Sequence, residues 1–439
     1  MYRMTRGILA ATIASALVLG WSATGRAQVK ITLWHAMGGA RFEAITKDIA
    51  EGFNKSHPGY VLQPVFAGSY AEVLTKAIAA VRAGDPPHIV QVYTIGVQTM
   101  LDSGAILPVT DLFKPGEIKG EEYFAPILNA YTVGGKLYSM PFNSSTPILY
   151  YNKDAFKKAG LNPEKPPATY KDVEEAGRHL VKSGAARAAI TFGWPTWMFE
   201  HAFTLSNQLF ADNDNGRAGR ATKVLFNTAF GVEVLTRWKR WSDEGLLMSG
   251  GREYAPNKAF LSGEVAMLLQ STSQVTTIEK AAKFAVGTGL LPVIEGKPRG
   301  KSVVGGGSLW VLKGKGRSPQ ELDAIVRFFK FIAQPEQDAK WHEETGYFPA
   351  TLAAEKLLRA QGWFQKHPNH ATAFRQIQEG PDTPATREPL LGNFVQIFNL
   401  TDTAIEKVLS GKLSPQAALD EAAQAANKGL EEYAATVGR

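Results

Sequence analysis

The sequence predicts an α/β fold divided into more than one lobe, and two observations carry that prediction. Between residues 29 and 93, strand-like and helix-like patterns alternate with short connections, as parallel βαβ units do. The chain is also long: its 439 residues exceed a single domain of roughly 100–200 residues. No internal repeat, low-complexity tract or Gly/Ser linker interrupts it. Lobes without a linker are expected to be joined by several chain crossings rather than strung in series.

The elements follow in order. Val29-Lys-Ile-Thr-Leu-Trp34 alternates as a strand, and an amphipathic helix spans Ala40 to Phe53, ending before His57-Pro-Gly59. A strand covers Tyr60–Phe66. The next helix runs from Tyr70 to Arg82, with Ser69 as N-cap, Val73, Leu74 and Ile78 on one face, and Gly84-Asp-Pro-Pro87 as its stop. His88–Tyr93 is the third strand. Asn152 opens a short helix that ends at Gly160-Leu161 in a Schellman pattern. Thr169-Tyr-Lys-Asp172 is a capping box with Asp in place of Glu. Ser318-Pro-Gln-Glu321 is a full one, with Pro at N1, opening Leu322 to Ala333. Pro335 starts another helix that ends at Gly346, and Ser414-Pro415 opens an Ala-rich C-terminal helix.

Composition excludes several functions. With 44% hydrophobic and 20% charged residues the chain is neither disordered nor a coiled coil. The absence of cysteine removes disulfides, thiol catalysis, zinc ribbons and iron–sulfur clusters. Lys and Arg number 48 against 41 acids, but Arg3, Arg6 and Arg26 fall within residues 1–27, which read as an export signal. That segment has a cationic start, an apolar run from Gly7 to Leu19, and small residues at Gly25 and Ala27 before a cleavage site. The run is too short for the roughly 20 residues of a spanning helix. No cysteine follows it to carry a lipid anchor. The remaining positive charge is scattered, which is a solvated surface and argues against nucleic acid.

Catalytic and metal motifs are missing. His342-Glu-Glu344 lacks a second His at i+4, and His367-Pro-Asn-His370 sits in a loop, so no metal ligand set is assigned. There is no Gly-x-Ser-x-Gly elbow. Gly300-Lys-Ser302 imitates the end of a P-loop, but Glu295 stands where its first Gly belongs. Gly305-Gly-Gly-Ser308, before an expected strand Leu309–Leu312, lets a backbone approach a ligand closely. Trp34, Tyr70, Tyr93, Trp194, Trp197 and Tyr347 fall at strand ends, helix starts or Gly/Pro-rich loops. Trp194-Pro-Thr-Trp197 reads as a rigid loop displaying two indoles. Such aromatics suit a cleft that stacks on a polyol or sugar. Trp238 and Trp241, in a helical stretch, read as packing residues.

Several of these stretches together resemble a known family. Trp34-His-Ala-Met37, Gly68-Ser-Tyr70, Ala83-Gly-Asp-Pro-Pro87, Pro141-Phe-Asn-Ser-Ser-Thr-Pro147, Gly305-Gly-Gly-Ser-Leu-Trp310 and Thr345-Gly-Tyr347 carry the likeness, which runs from Trp34 to the C-terminal helix. The chain is similar to the extracellular solute-binding proteins of ABC importers, the family of maltose-binding protein, in its glycerol-3-phosphate-binding branch. The resemblance implies a periplasmic, monomeric, non-enzymatic binding protein without a cofactor, whose partners are a small ligand, the inner-membrane permease and its ATPase. It implies two lobes, three crossings and a hinge: residues 28–141 plus 304–334, and residues 142–303 plus 335–439. The crossings would fall near Pro141–Ser145, just before Gly305, and near Ala333–Pro335. Ligand contacts are implied at Tyr70, Ser145, Trp194, Trp197, Ser271, Gly306 and Tyr347. Two positions depart from the family pattern: Thr94 stands where an acid is expected, and Phe398 where an Arg would pair with phosphate. Arg387, upstream in the same loop, is a candidate substitute that the sequence does not prove. The implied ligand is sn-glycerol 3-phosphate or a glycerophosphodiester. A mono- or oligosaccharide is the competing ligand, and a secreted phosphodiester hydrolase the competing class.

Overall fold

A computed structural model describes residues 28–437, so the expected export signal over residues 1–27 lies outside the described residues. Twelve strands are formed among them: β1 (Val29–His35), β2 (Tyr60–Phe66), β3 (Ile89–Tyr93), β4 (Ile106–Leu107), β5 (Thr132–Val133), β6 (Lys136–Leu137), β7 (Met140–Ser145), β8 (Pro147–Asn152), β9 (Ala188–Phe192), β10 (Val265–Ser271), β11 (Val286–Gly289) and β12 (Gly305–Leu312). In β1 every second residue is inward, which buries Ile31, Leu33 and His35. β1 pairs in parallel with β2 and with β3, as the strand–helix alternation requires.

Two larger sheets result. The first has the order β2-β1-β3-β12-β4, with β7 also paired to β12; the second has the order β11-β8-β10-β9. A separate core covers each. Ile31, Val90, Trp310, Phe328 and Phe329 belong to the first; Phe199, Phe203, Trp238, Trp241 and Met267 belong to the second. Trp238 and Trp241 are fully packed there.

Local signals explain the helix limits. Ser69 and Glu72 complete a capping box on the helix Tyr70–Ala83, and Gly84 closes it at φ 79°. At Gly160, φ is 74° and Leu161 N–H donates to Phe156 O at 2.9 Å, the 6→1 bond of a Schellman stop. Thr169 and Asp172 cap Tyr170–Lys182, and Ser318 and Glu321 cap Pro319–Ile332.

The glycine run does not precede the strand but belongs to it. Gly305, Gly306 and Gly307 are themselves part of β12, antiparallel to β7, with a register shift between Gly307 and Ser308. A Cβ on Gly306 would lie 1.9 Å from Asn143 O, and its φ is +84°. Close approach is needed here first for the neighbouring strand.

The chain passes between sheets at defined points. β7 of the first sheet runs into β8 of the second with only Thr146 between them. The return comes after β11, entering β12 at Gly305. The third passage is not at Ala333–Pro335. Pro335 is the N1 residue of the helix Pro335–Thr345, which stays with the first core: Trp341 stacks on Phe142 at 4.6 Å and on Tyr347 at 5.7 Å. First-core packing continues to Ile377 and Leu390, and the second core resumes at Leu391. Side chains tie the first two passages to each other and to the helix Ala371–Gln378. Thr146 Oγ1 and Ser302 Oγ are 2.5 Å apart, and Gln376 Nε2 donates to Thr146 Oγ1 at 3.2 Å. No helix among the described residues is long and apolar enough to cross a membrane.

Candidate ligand-binding cleft

A cavity of about 570 Å³ lies between the two sheets, and Tyr70, Ser145, Trp194, Trp197, Ser271, Gly306 and Tyr347 all line it. Thr94 and Phe398 line it as well. Each arrives by a different route. Tyr70 opens a capped helix, Ser145 ends β7, Ser271 ends β10, Gly306 sits in the β12 irregularity, and Tyr347 follows the left-handed Gly346 (φ 81°).

The two tryptophans do not share a loop. Trp194 is the N-cap of the helix Pro195–Leu205 with φ 56°, and Trp197 lies in the first turn of that helix, 8% exposed. Pro195 at N1 starts the helix at once. Trp197 packs against the backbone of Gly305, where an added Cβ would fall 2.3 Å from its Cζ2.

Tyr70 is held on two sides. Its ring stacks on Tyr93 at 5.1 Å and 6°, and Asn143 Nδ2 donates to its hydroxyl at 2.6 Å. Gln91 Nε2 in turn donates to Asn143 Oδ1 at 2.8 Å, and Gln91 Oε1 accepts from Ala36 N at 2.7 Å. Burial, followed by the nearby Tyr347 and Tyr254, pushes the Tyr70 hydroxyl well above its ordinary range, so it remains a donor. The Ser271 hydroxyl accepts from Ser273 N at 3.2 Å and from Ser273 Oγ at 3.0 Å.

Tyr254 is a cleft residue that sequence reasoning missed. It is 39% exposed and meets Trp194 edge-on at 5.5 Å and 87°. Its place before Ala255-Pro256, an aromatic in a Pro-bounded turn, is the signal that could have found it.

The charged lining is already engaged. Arg252 donates to Glu406 at 2.6 and 2.9 Å and lies 3.8 Å from Asp402. Arg41 donates to Thr277 Oγ1 at 2.5 Å and to the carbonyl of Glu344. Asp402 Oδ1 accepts from Thr196 N at 3.0 Å and Thr196 Oγ1 at 2.6 Å; burial raises its pKa, tempered by those bonds. Arg387 does not reach the cleft. It lines a different cavity and is paired with Asp382 at 3.0 and 3.3 Å, so it does not replace the missing Arg. Two helix N-termini line the cleft: at Gly39–Arg41 no side chain caps the helix, whereas at Ser69–Ala71 the Ser69–Glu72 capping box already occupies the end. The N–H groups of an uncapped end such as Gly39–Arg41 favour anions.

Behind Thr94 lies an uncommon pair. Glu200 and Glu388 are buried, and their carboxyl oxygens have no hydrogen-bond partner. Burial pushes Glu388 up to about 8, tempered by the Thr94 hydroxyl and Arg217; burial and then Glu388 push Glu200 well above the carboxylate range.

An α/β protein of two packed units with a polar, aromatic-walled cavity between them is by class a two-lobed binding protein. The family model described as bacterial extracellular solute-binding protein matches residues 48–372, and the chain belongs to that family. The sn-glycerol-3-phosphate-binding periplasmic protein UgpB of Escherichia coli K12 is 38% identical over 430 residues, covering 96% of this chain and 97% of that protein. Its counterpart in Shigella dysenteriae is likewise 38% identical with the same coverage. Among solved structures, UgpB from Mycobacterium tuberculosis in complex with glycerophosphocholine aligns with TM-score 0.78 at 21% identity, covering 92% of this chain and 98% of that one. The cyclic α-maltosyl-1,6-maltose binding protein of Arthrobacter globiformis aligns at 0.75 and 22% identity, covering 92% and 100%. These likenesses share the two-lobed fold. The chain is therefore a periplasmic solute-binding component that delivers a small ligand to an ABC permease, and it is not an enzyme.

Proposed function

We propose that the cleft binds sn-glycerol 3-phosphate or, in preference, a glycerophosphodiester, through Tyr70, Ser145, Trp194, Trp197, Ser271, Gly306 and Tyr347. The observation that carries this is the pairing of the uncapped helix N-terminus at Gly39–Arg41 with an aromatic wall in a cleft whose lining cations are already bonded. N–H groups and hydroxyls hold a singly charged phosphodiester without a free guanidinium. Phe398, Trp194 and Tyr254 then face the second alcohol group. The 38% identity to UgpB of Escherichia coli supports the same ligand class.

The protein acts as a monomer, without nucleic acid, and the lobes close by bending at the passages around Thr146 and Ser302. A saccharide is the second reading, favoured by the tyrosine and tryptophan faces of the wall and by the saccharide-binding neighbour from Arthrobacter globiformis. Calorimetry of the protein against glycerophosphocholine, glycerol 3-phosphate and maltose separates them. Glycerophosphocholine is expected to bind at least as tightly as glycerol 3-phosphate, with maltose silent. Tighter binding of maltose than of either phosphate overturns the reading.

A further inference from the structure

We propose that Glu279, His367 and His370 form a binding site for a divalent transition metal of the zinc type, outside the ligand cleft. One ligand atom from each of these three side chains lies within 4.8 Å of the other two. His370 Nε2 and Glu279 Oε2 are 3.6 Å apart. Zinc bonds to nitrogen and carboxylate oxygen of about 2.0–2.2 Å set a tetrahedral edge of about 3.4 Å, so a small adjustment seats the ion.

The sequence pattern alone is weak, because His367 and His370 are a lone pair in a loop. Folding supplies what is missing. Pro368–His370 forms a 3₁₀ turn, in which residues three apart eclipse, and this brings both imidazoles to one side. Glu279, nearly ninety residues away in sequence, is delivered by the helix Val275–Ala281.

The surroundings are built for ligation. Asn369 Nδ2 donates to Glu279 Oε1 at 2.7 Å, which leaves Oε2 for His370. Thr288 Oγ1 holds Asn369 through its Oδ1 at 3.2 Å. Trp363 stacks on the His367 ring at 3.9 Å and fixes its plane. Oriented ligands of this kind mark metal sites. His370 is buried, and its Nδ1 has no partner; neither does Nε2 of His342, whose ring is 5.2 Å away. His342 Nδ1 must carry the proton it donates to the Tyr347 carbonyl at 2.8 Å, which makes its Nε2 a lone pair facing the His370 edge. Glu279 and His367 are half-buried, so water can complete the coordination. Two imidazoles and a carboxylate suit zinc better than calcium or magnesium, which prefer all-oxygen shells.

The test uses full-length mature protein freed of metal and carrying no histidine tag. Zinc titration by calorimetry and cobalt titration by visible absorption should each show one equivalent bound, with the cobalt bands of a four-coordinate nitrogen–oxygen site. His370→Ala should weaken zinc at least 100-fold, and Asn369→Ala 10–100-fold. Glu279→Gln keeps the bond to Asn369 and tests the carboxylate without disturbing the fold, which circular dichroism checks. Zinc should raise the melting temperature of the natural protein and leave that of His370→Ala unmoved. Absence of a stoichiometric site, or a zinc affinity in His370→Ala or Glu279→Gln equal to that of the natural protein, overturns the proposal.

Discussion

Arg41 Nη1 donates a hydrogen bond to Thr277 Oγ1 at 2.5 Å, and the two residues belong to helices packed on different sheets. The guanidinium also reaches the Glu344 carbonyl. The bond therefore spans the cleft. A second tie runs from Asp102 to Arg220, with both guanidinium contacts at 2.9 Å and Tyr433 donating to the same carboxylate at 2.9 Å.

Removing the first tie should weaken the hold of the two sides of the cleft on each other. Thr277→Val keeps the side-chain shape and deletes the acceptor. With a net worth of about 0.5–1.5 kcal/mol for such a bond, ligand affinity should fall by roughly 2- to 10-fold. Calorimetry measures it, and an unchanged dissociation constant would show that the bond does not contribute to closure.

The tryptophans should differ from one another. Trp194→Ala is expected to weaken ligand by about 1–3 kcal/mol through lost apolar contact, with little effect on melting. Trp197→Ala should weaken ligand and also lower stability, because its ring is packed on Gly305 and edge-on to His201 at 5.2 Å. Ligand titration followed by intrinsic fluorescence, with a thermal melt of each variant, separates the two effects.

Phe398→Arg places a cation in a wall whose present cations are engaged elsewhere. Affinity for glycerol 3-phosphate should rise and that for glycerophosphocholine should fall, since an aromatic face holds a choline head by about 0.5–2 kcal/mol. An unchanged ratio of the two affinities would remove this position from ligand choice.

Gly306→Ala tests the β7–β12 contact. The added carbon meets Asn143 O in a backbone region that disfavours side chains. Destabilisation of about 2 kcal/mol or more is expected in chemical denaturation. A variant as stable as the parent would mean that the two strands separate without cost.

The buried acids give a pH signature. Glu388 binds its proton more tightly in the folded protein than in the unfolded chain, so the native state holds more protons between the ordinary carboxylate range and about 8. Stability should fall as pH rises through that window, because deprotonation leaves charge in a dry site. Glu388→Gln should flatten the fall. Urea midpoints at intervals from pH 5 to pH 8 measure it, and parallel profiles for parent and variant would contradict the assignment.

How much of this could be read from sequence depended on range. Ser69-x-x-Glu72, Thr169-x-x-Asp172, Ser318-x-x-Glu321 and Gly160-Leu161 are contacts within one turn, so residue type and spacing disclosed them. Tyr70, Ser145, Gly306 and Tyr347 belong to short recognisable blocks, whereas Trp194, Trp197 and Ser271 came only with the family likeness as a whole; all seven line the cleft. What escaped was set by distant partners. Nothing near Pro335 says that Trp341 will stack on Phe142, so the expected passage falls four helices before the one the structure has, between Leu390 and Leu391. Whether Arg387 reaches the cleft was open in the sequence; Asp382, five residues back, takes it first. Glu279 lies far from His367 in the chain, and only the packing of helix on turn unites them.

The bonds joining Thr146, Ser302 and Gln376 have a mechanical meaning. Two chain passages and the helix that carries Gln376 are joined there side chain to side chain. A displacement that slides Ser302 or Gln376 away from Thr146 gives up about 0.5–1.5 kcal/mol for each bond broken. Movement that keeps the three residues together is thereby favoured over shearing.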